Sequence, residues 1–338
     1  MLASDPARRQ LLLAAKLKGL VRGRWGDVVD AAAPGHFPSG AARHAATTAW
    51  VLAEDEPARS LGPALAWALR QGCDEVHLLA AGQASTLARR AAYFRVPVHV
   101  WRIDGTEVYP AEPSPVEPEP EAQPDAIAAV DLIAMIEQAG ADVVVEHGVL
   151  RGEVRGLEVC RVVADPDGAP ALQLGVGKHD REAHLLTHGD RRPTVEDLFA
   201  VVRSVLEHRV PGGEGHAAYH LAGERWLRSV VVRRPELVGA KALRTMAAAV
   251  ARDDLRQPSP APAAGEDLAG APLVVVCSVG VDVDLVAAAA DSRAADSRGA
   301  RLLVCLPEGD DHRITGEVAR ALREPAEIVT VGTDWRSL

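Results

Sequence analysis

The chain has 338 residues, of which 48% are hydrophobic and 25% charged, which excludes a wholly disordered protein and leaves ample material for a core. Aromatic residues make up only 4%, so Ala, Val and Leu must fill that core. The net charge of -10 excludes a uniformly basic nucleic-acid coat and leaves room for local basic patches.

Cys73, Cys160, Cys277 and Cys305 are far apart and show neither CxxC nor zinc spacing. They read as buried thiols of a reducing cytosol. No apolar run is long enough to span a bilayer. The run after Arg8 and Arg9 is cut by Lys16 and Lys18, which does not fit a signal peptide. The expectation is a cytoplasmic protein with no membrane partner.

In chain order, residues 6–21 fit a basic helix. Residues 49–53 form a short apolar run without helical period and read as a strand. Residues 61–70 have helical spacing, with Gly72 behind them as a C-cap. A strand at 75–80, a helix at 85–94 and a strand at 96–101 complete a β-α-β-α-β order. Its short connections predict parallel strands with right-handed crossovers, a Rossmann-like unit over 1–109. The segment 110–125 alternates Pro with Glu and reads as a stiff, extended linker.

A central α+β module is expected over 126–256. It opens with a helix at 126–139. Strands at 142–150, 153–164 and 169–177 follow as an antiparallel meander. Arg151-Gly152 and Arg155-Gly156 both offer turns for the first hairpin, and Asp165-Pro166-Asp167-Gly168 is a strong turn for the second. Helices are expected at 195–208 (with Thr194 as N-cap), 221–232 and 235–252. Residues 257–271, rich in Pro and Ala, read as a second linker. The module at 272–338 repeats the β-α-β-α-β order: strands at 273–277, 302–306 and 327–331, helices at 284–292 and 315–323. Each outer unit would have three strands. Units this small are expected to bury a face on a neighbour or on a second copy of the chain, as in a homodimer.

Chemistry-bearing residues concentrate in the central module. Glu158 lies in the apolar strand Leu157-Glu158-Val159-Cys160-Arg161-Val162-Val163, where alternation places it on the face of Cys160 and Val162. Glu146 and Glu153 lie on the neighbouring strand positions. His184 and His188, like His216 and His220, stand at i and i+4 but form no HExxH and read as exposed or capping residues. Gly175-Val176-Gly177-Lys178 lacks P-loop spacing. Arg225, Arg228, Arg233, Arg234, Lys241 and Arg244 form a basic stretch suited to backbone phosphates, or to a solvated or ion-paired helix face. Open α/β sheets bind ligands beyond the carboxyl ends of their strands. That rule makes Glu54 and Asp55 in the first unit, and Ser278, Gly280 and Asp282 in the last, candidates for a small anionic ligand.

The central order of helix, three antiparallel strands and helix resembles the core of the PD-(D/E)XK, or restriction-endonuclease-like, superfamily. The resemblance implies Mg²⁺ or Mn²⁺ held by Glu158 with Glu146 or Glu153, Lys178 stabilising a phosphate and Gln173 assisting. It rests on about 80 residues and on topology. The third strand reads Leu172-Gln173-Leu174-Gly175-Val176-Gly177-Lys178, where Gln173 takes the place of the family's acid and Gly175 that of its lysine. The expected fold is thus α/β with a central α+β module, two Rossmann-like units flanking a restriction-endonuclease-like mixed core. The expected function is a nucleic-acid-associated protein, a metal-dependent phosphodiesterase or a degenerate form of one. The alternatives are a non-enzymatic sensor of a small ligand or nucleotide and a cytoplasmic interaction scaffold.

Overall fold

The structure is a computed structural model and describes residues 6–116, 130–177, 180–182, 191–250, 257–296 and 298–338. Lys178, His184, His188 and residues 117–125 of the first linker lie outside the described residues. The fold is α/β, with three sheets of six, four and five strands among the described residues. Contacts divide the chain into two compact units, 1–116 with 283–291 and 312–326, and 117–282 with 292–311 and 327–338.

In the first unit, α1 (Pro6–Trp25) and α2 (Val28–Ala31) precede β1 (Ala33–Gly35), β2 (Gly40–Ala45) and β3 (Thr48–Ala53). Then come α3 (Leu61–Arg70), β4 (Glu75–Ala80), α4 (Ala84–Ala91), β5 (Val98–Asp104) and β6 (Glu107–Pro110). Strands β3, β4 and β5 are parallel neighbours, as the β-α-β-α-β pattern predicts. The sheet has six strands rather than three, because β1, β2 and β6 add antiparallel edges. Their sequences, rich in Ala, Gly, Pro and charge, carry little strand propensity and gain order from pairing. Leu13, Leu17, Leu20 and Val21 of α1 pack with Trp50, Leu52, Leu79, Ile103 and Val108.

The second unit contains the central sheet. Helix α5 (Val130–Gln138) leads into β7 (Asp142–Glu146), β8 (Val149–Val154), β9 (Leu157–Ala164) and β10 (Pro170–Leu174). These pair antiparallel in chain order. The sheet has four strands where three were expected, because the chain also turns at His147-Gly148. Each of the first two hairpins closes with two residues of positive φ: 52° and 72° at His147-Gly148, 49° and 75° at Arg155-Gly156. That is the twist-matched hairpin geometry in which Gly costs least. Arg151-Gly152, the alternative turn, lies inside β8. The turn at Asp165–Gly168 forms as expected, with Asp165 accepting from the N–H groups of Asp167 and Ala169.

Helix α6 (Val195–His208) follows, then α7 (Ala217–His220) and α8 (Gly223–Arg233). Thr194 caps α6 in a reciprocal box with Asp197. Thr194→Ala should destabilise the protein by about 1 kcal/mol, read as a shifted urea midpoint at constant slope. Ile136 of α5 and Leu198, Val202 and Val205 of α6 share a core with Leu150, Val154, Leu157, Cys160 and Leu172 of the sheet.

The helix expected at 235–252 is not formed as such. A short 3-10 turn, Pro235–Val238, ends at Gly239 with φ 66°, and β11 (Ala240–Thr245) begins there. Residues 261–267, read from composition as linker, form β12 (Ala261–Asp267). Both strands are Ala-rich and lack β-branched runs. They are held by the sheet order β11-β12-β13-β14-β15, in which β12 lies between two partners. The remaining elements are β13 (Pro272–Cys277), α9 (Leu285–Asp296), β14 (Arg301–Pro307), α10 (Arg313–Ala321) and β15 (Glu327–Val331). Strands β13, β14 and β15 are parallel neighbours, as predicted. Trp226, Leu227, Val230 and Val231 of α8 pack with Leu273, Val275, Cys277, Leu303 and Cys305.

Candidate functional site

The candidate site begins with an irregularity in β9. Gly152 pairs with Cys160 but Glu153 pairs with Glu158, so Val159 is an extra residue in β9. This bulge reverses the expected alternation. Glu158 does not share the face of Cys160, which lies in the core with Val159. Instead it meets Arg161, three residues on, at 2.7 Å. Glu158 therefore joins the polar face of the sheet, together with Glu153 directly across from it.

Helix α8 supplies the cover. Its Trp226, Leu227, Val230 and Val231 serve the apolar core described above, and Arg225 and Arg228, three residues apart, reach the central carboxylates. Arg228 donates to Glu146 Oε1 at 2.5 Å and to Glu153 Oε2 at 3.0 Å. Arg225 donates to Glu146 Oε2 at 2.5 Å and to Glu153 Oε1 at 3.1 Å. Two forks thus bridge two carboxylates. Glu146, Glu153 and Arg228 are each 2% exposed or less.

Gly156 permits this approach. A Cβ there would stand 2.2 Å from the Arg225 carbonyl carbon. Gly156→Ala, which also strains a positive φ, is expected to lower stability by about 2 kcal/mol in urea melts and to loosen α8 from the sheet.

Glu158 has a different set of partners. Arg161 grips both of its oxygens, at 2.7 and 3.1 Å, and Arg181 donates at 2.9 Å. Arg151 stands between the two groups, with Nη1 3.4 Å from Glu158 and 3.5 Å from Glu146. Gln173 is paired directly across from Arg161 on β10, which places it on the same polar face. Among the described residues the layer contains five guanidinia and three carboxylates, with Asp180 acting on Arg181 from beside it.

Burial opposes the charge on Glu146, but Arg228 and Arg225 outweigh it and hold the carboxyl at about 2. For Glu153, burial prevails over the same two arginines and raises the carboxyl, with Glu146 and Glu158 adding to the rise. Burial lowers Arg181, and Arg161 and Arg151 lower it further against the pull of Glu158 and Asp180.

The structure brings Glu146, Glu153, Glu158 and Gln173, each singled out in the sequence, to one face, and Glu158 reaches it through the bulge rather than by the expected alternation. The role implied for the carboxylates meets an obstacle. A divalent cation needs unengaged anionic oxygens, and both oxygens of each carboxylate already accept from, or ion-pair with, arginine. The donor set does not fit Mg²⁺ or Mn²⁺. Among the described residues no group of three or more His, Cys, Asp or Glu is arranged for a metal ion.

The basic stretch is largely neutralised as well. Besides Arg225 and Arg228, Arg233 pairs with Asp142 at 2.6 Å, Arg234 with Glu236 at 3.2 Å and Lys241 with Glu266 at 3.6 Å. Arg244 donates to the Thr245 carbonyl. In the first unit, Glu54 pairs with Lys16 at 2.7 Å and Asp55 with Arg9, so the basic α1 engages the carboxylates of that turn. At the end of β13, Ser278 and Asp282 are buried, and the Gly280 N–H donates to Asp310 at 2.7 Å, the bond an anionic ligand would seek. Sequence reasoning missed Arg151, Arg161 and Arg181. Their signal was Arg151 two positions before Glu153 on β8 and Arg161 three after Glu158 on β9, the latter hidden by the bulge; Arg181 lies on neither strand.

Among the described residues no helix is long and apolar enough to cross a membrane. Set beside protein-family models, curated proteins and solved structures, the chain matches none of them.

Proposed function

We propose that the chain is a non-catalytic binding protein for a small anionic ligand, built on a nuclease-like scaffold. The observation that carries this reading is the charge of the buried polar layer: among the described residues five arginines gather around three carboxylates. An excess of guanidinium in a desolvated layer favours an oxyanion, which arginine binds through paired donors. Metal-dependent cleavage would first require Glu146 and Glu153 to leave Arg225 and Arg228. The helix, antiparallel sheet and helix from α5 to α6 support the restriction-endonuclease-like reading of the scaffold. The parallel β3-β4-β5 and β13-β14-β15 segments support a Rossmann-like reading of their surroundings.

Two measurements separate binding from hydrolysis. Inorganic phosphate and mononucleotides should raise the melting temperature, and chloride at equal ionic strength should not. Single- and double-stranded DNA and RNA incubated with Mn²⁺ or Mg²⁺ should remain intact. Cleavage abolished by Glu158→Ala would overturn the reading and restore the metal-dependent nuclease.

A further inference from the structure

We infer that the anion's seat is the Arg151–Arg161–Arg181 group and that its ligand is a phosphate-sized oxyanion. This deepens the binding reading above and rests on it. Arg225 and Arg228 are matched one to one by Glu146 and Glu153, each with two bonds. The three remaining guanidinia have Glu158 as their main counter-charge.

Arg151 is the least satisfied of the three. Its Nη1 reaches Glu158 and Glu146 only at 3.4 and 3.5 Å, long for charge-assisted bonds. Its Nε is buried and has no hydrogen-bond partner. Arg228, which holds two carboxylates, leaves its Nε unbonded in the same way, so the long Nη1 contacts are what mark Arg151 as open to a further acceptor. Arg161, 28% exposed, gives the group a side open to water. Asp180, close enough to raise Arg181 and bonded to the Val176 N–H, sets a negative limit beside the seat.

The seat has the chemistry of a phosphate cradle with an internal carboxylate in competition. Glu158 holds Arg161 and Arg181 until a stronger oxyanion arrives. Removing that carboxylate should therefore strengthen ligand binding, an effect that a purely structural ion-pair cluster does not produce.

The test is calorimetric titration of the full chain with inorganic phosphate at constant ionic strength. Glu158→Gln should tighten phosphate binding about tenfold, and Arg161→Gln or Arg181→Gln should weaken it about tenfold or more. Arg161 is partly exposed, so its variant should remain folded by circular dichroism even if Arg151→Gln does not. If wild type binds phosphate and all these variants bind it equally, this seat is wrong and the broader binding reading stands. If neither phosphate nor mononucleotides bind the folded wild type, both fall.

Discussion

Replacing Arg228 by Met is expected to destabilise the protein by about 3–5 kcal/mol, the usual result of removing one partner from a buried ion pair. Arg228 is 1% exposed and holds two carboxylates that are themselves 2% exposed. Its removal leaves Glu146 and Glu153 sharing Arg225, with Arg151 at 3.5 Å from Glu146 as a weaker partner. Restoring the balance should rescue the fold. The double variant Arg228→Met with Glu153→Met should recover more than half of the loss in urea denaturation, because an apolar pair can replace a buried ionic one at little cost.

The pH dependence gives a second check. Burial raises the wild-type Glu153 carboxyl, and its raised value is a stability contribution present at low pH and lost as pH rises through it. Glu146, held at about 2, contributes in the opposite sense: its stabilisation is present above the ordinary value of 4.5 and lost as pH falls toward 2. With Arg228 gone, both carboxyls should rise, and the variant should gain stability relative to wild type on mild acidification. A variant as stable as wild type at pH 7 would show that the four-charge bridge contributes nothing to the fold.

The first unit should lose stability between about pH 6.5 and 4 through one residue, His77. The residue is 7% exposed and its ring lies among Trp25, Trp50, Trp101 and His99, with ring centroids 4.9 to 5.9 Å away. Trp101 Nε1 donates to His77 Nδ1 at 3.1 Å, so this nitrogen must be unprotonated. Burial lowers the imidazole to about 4, against a weaker upward pull from Glu75 and with a further decrease from His99. Arg24, over the Trp101 ring, adds another cation on the α1 side.

A folded value below the unfolded 6.5 means that the unfolded chain takes the proton first. The stabilisation is therefore complete above pH 6.5 and disappears as pH falls toward 4. Its size is on the order of 2 kcal/mol, allowing for water that still reaches the ring. Urea melts followed by Trp fluorescence should show it. His77→Gln preserves an acceptor for Trp101 and cannot titrate, so its stability should fall less than wild type's between pH 7 and 4.5. Parallel curves for the two proteins would remove His77 as the acid-sensitive element.

The legible part of this protein lies where local pattern and final structure agree. Hydrophobic runs without helical period gave β3, β4, β13 and β14, since strands buried on both faces require continuous apolar sequence. The turn at Asp165–Gly168 could be read because Asp and Gly impose its backbone by themselves. Thr194 announced α6 for the same local reason. Among candidate site residues, Glu158 stood out because an acid in an apolar strand demands compensation, and Glu146 and Glu153 entered only through the resemblance of the element order.

Only the tertiary structure decided the rest. Strands β11 and β12 are Ala-rich segments that become strands because neighbours offer hydrogen-bond edges, a gain invisible to propensity. One extra residue in β9 sent Glu158 to the polar face, and period-2 reasoning cannot see a bulge. The compensation itself came from far along the chain: Arg225 and Arg228 lie more than 70 positions from the carboxylates that they neutralise. The sequence by itself thus determined that buried acids would need partners. Only folding decided that those partners are arginines, because electrostatic pairing depends on distance in space and not on separation in sequence.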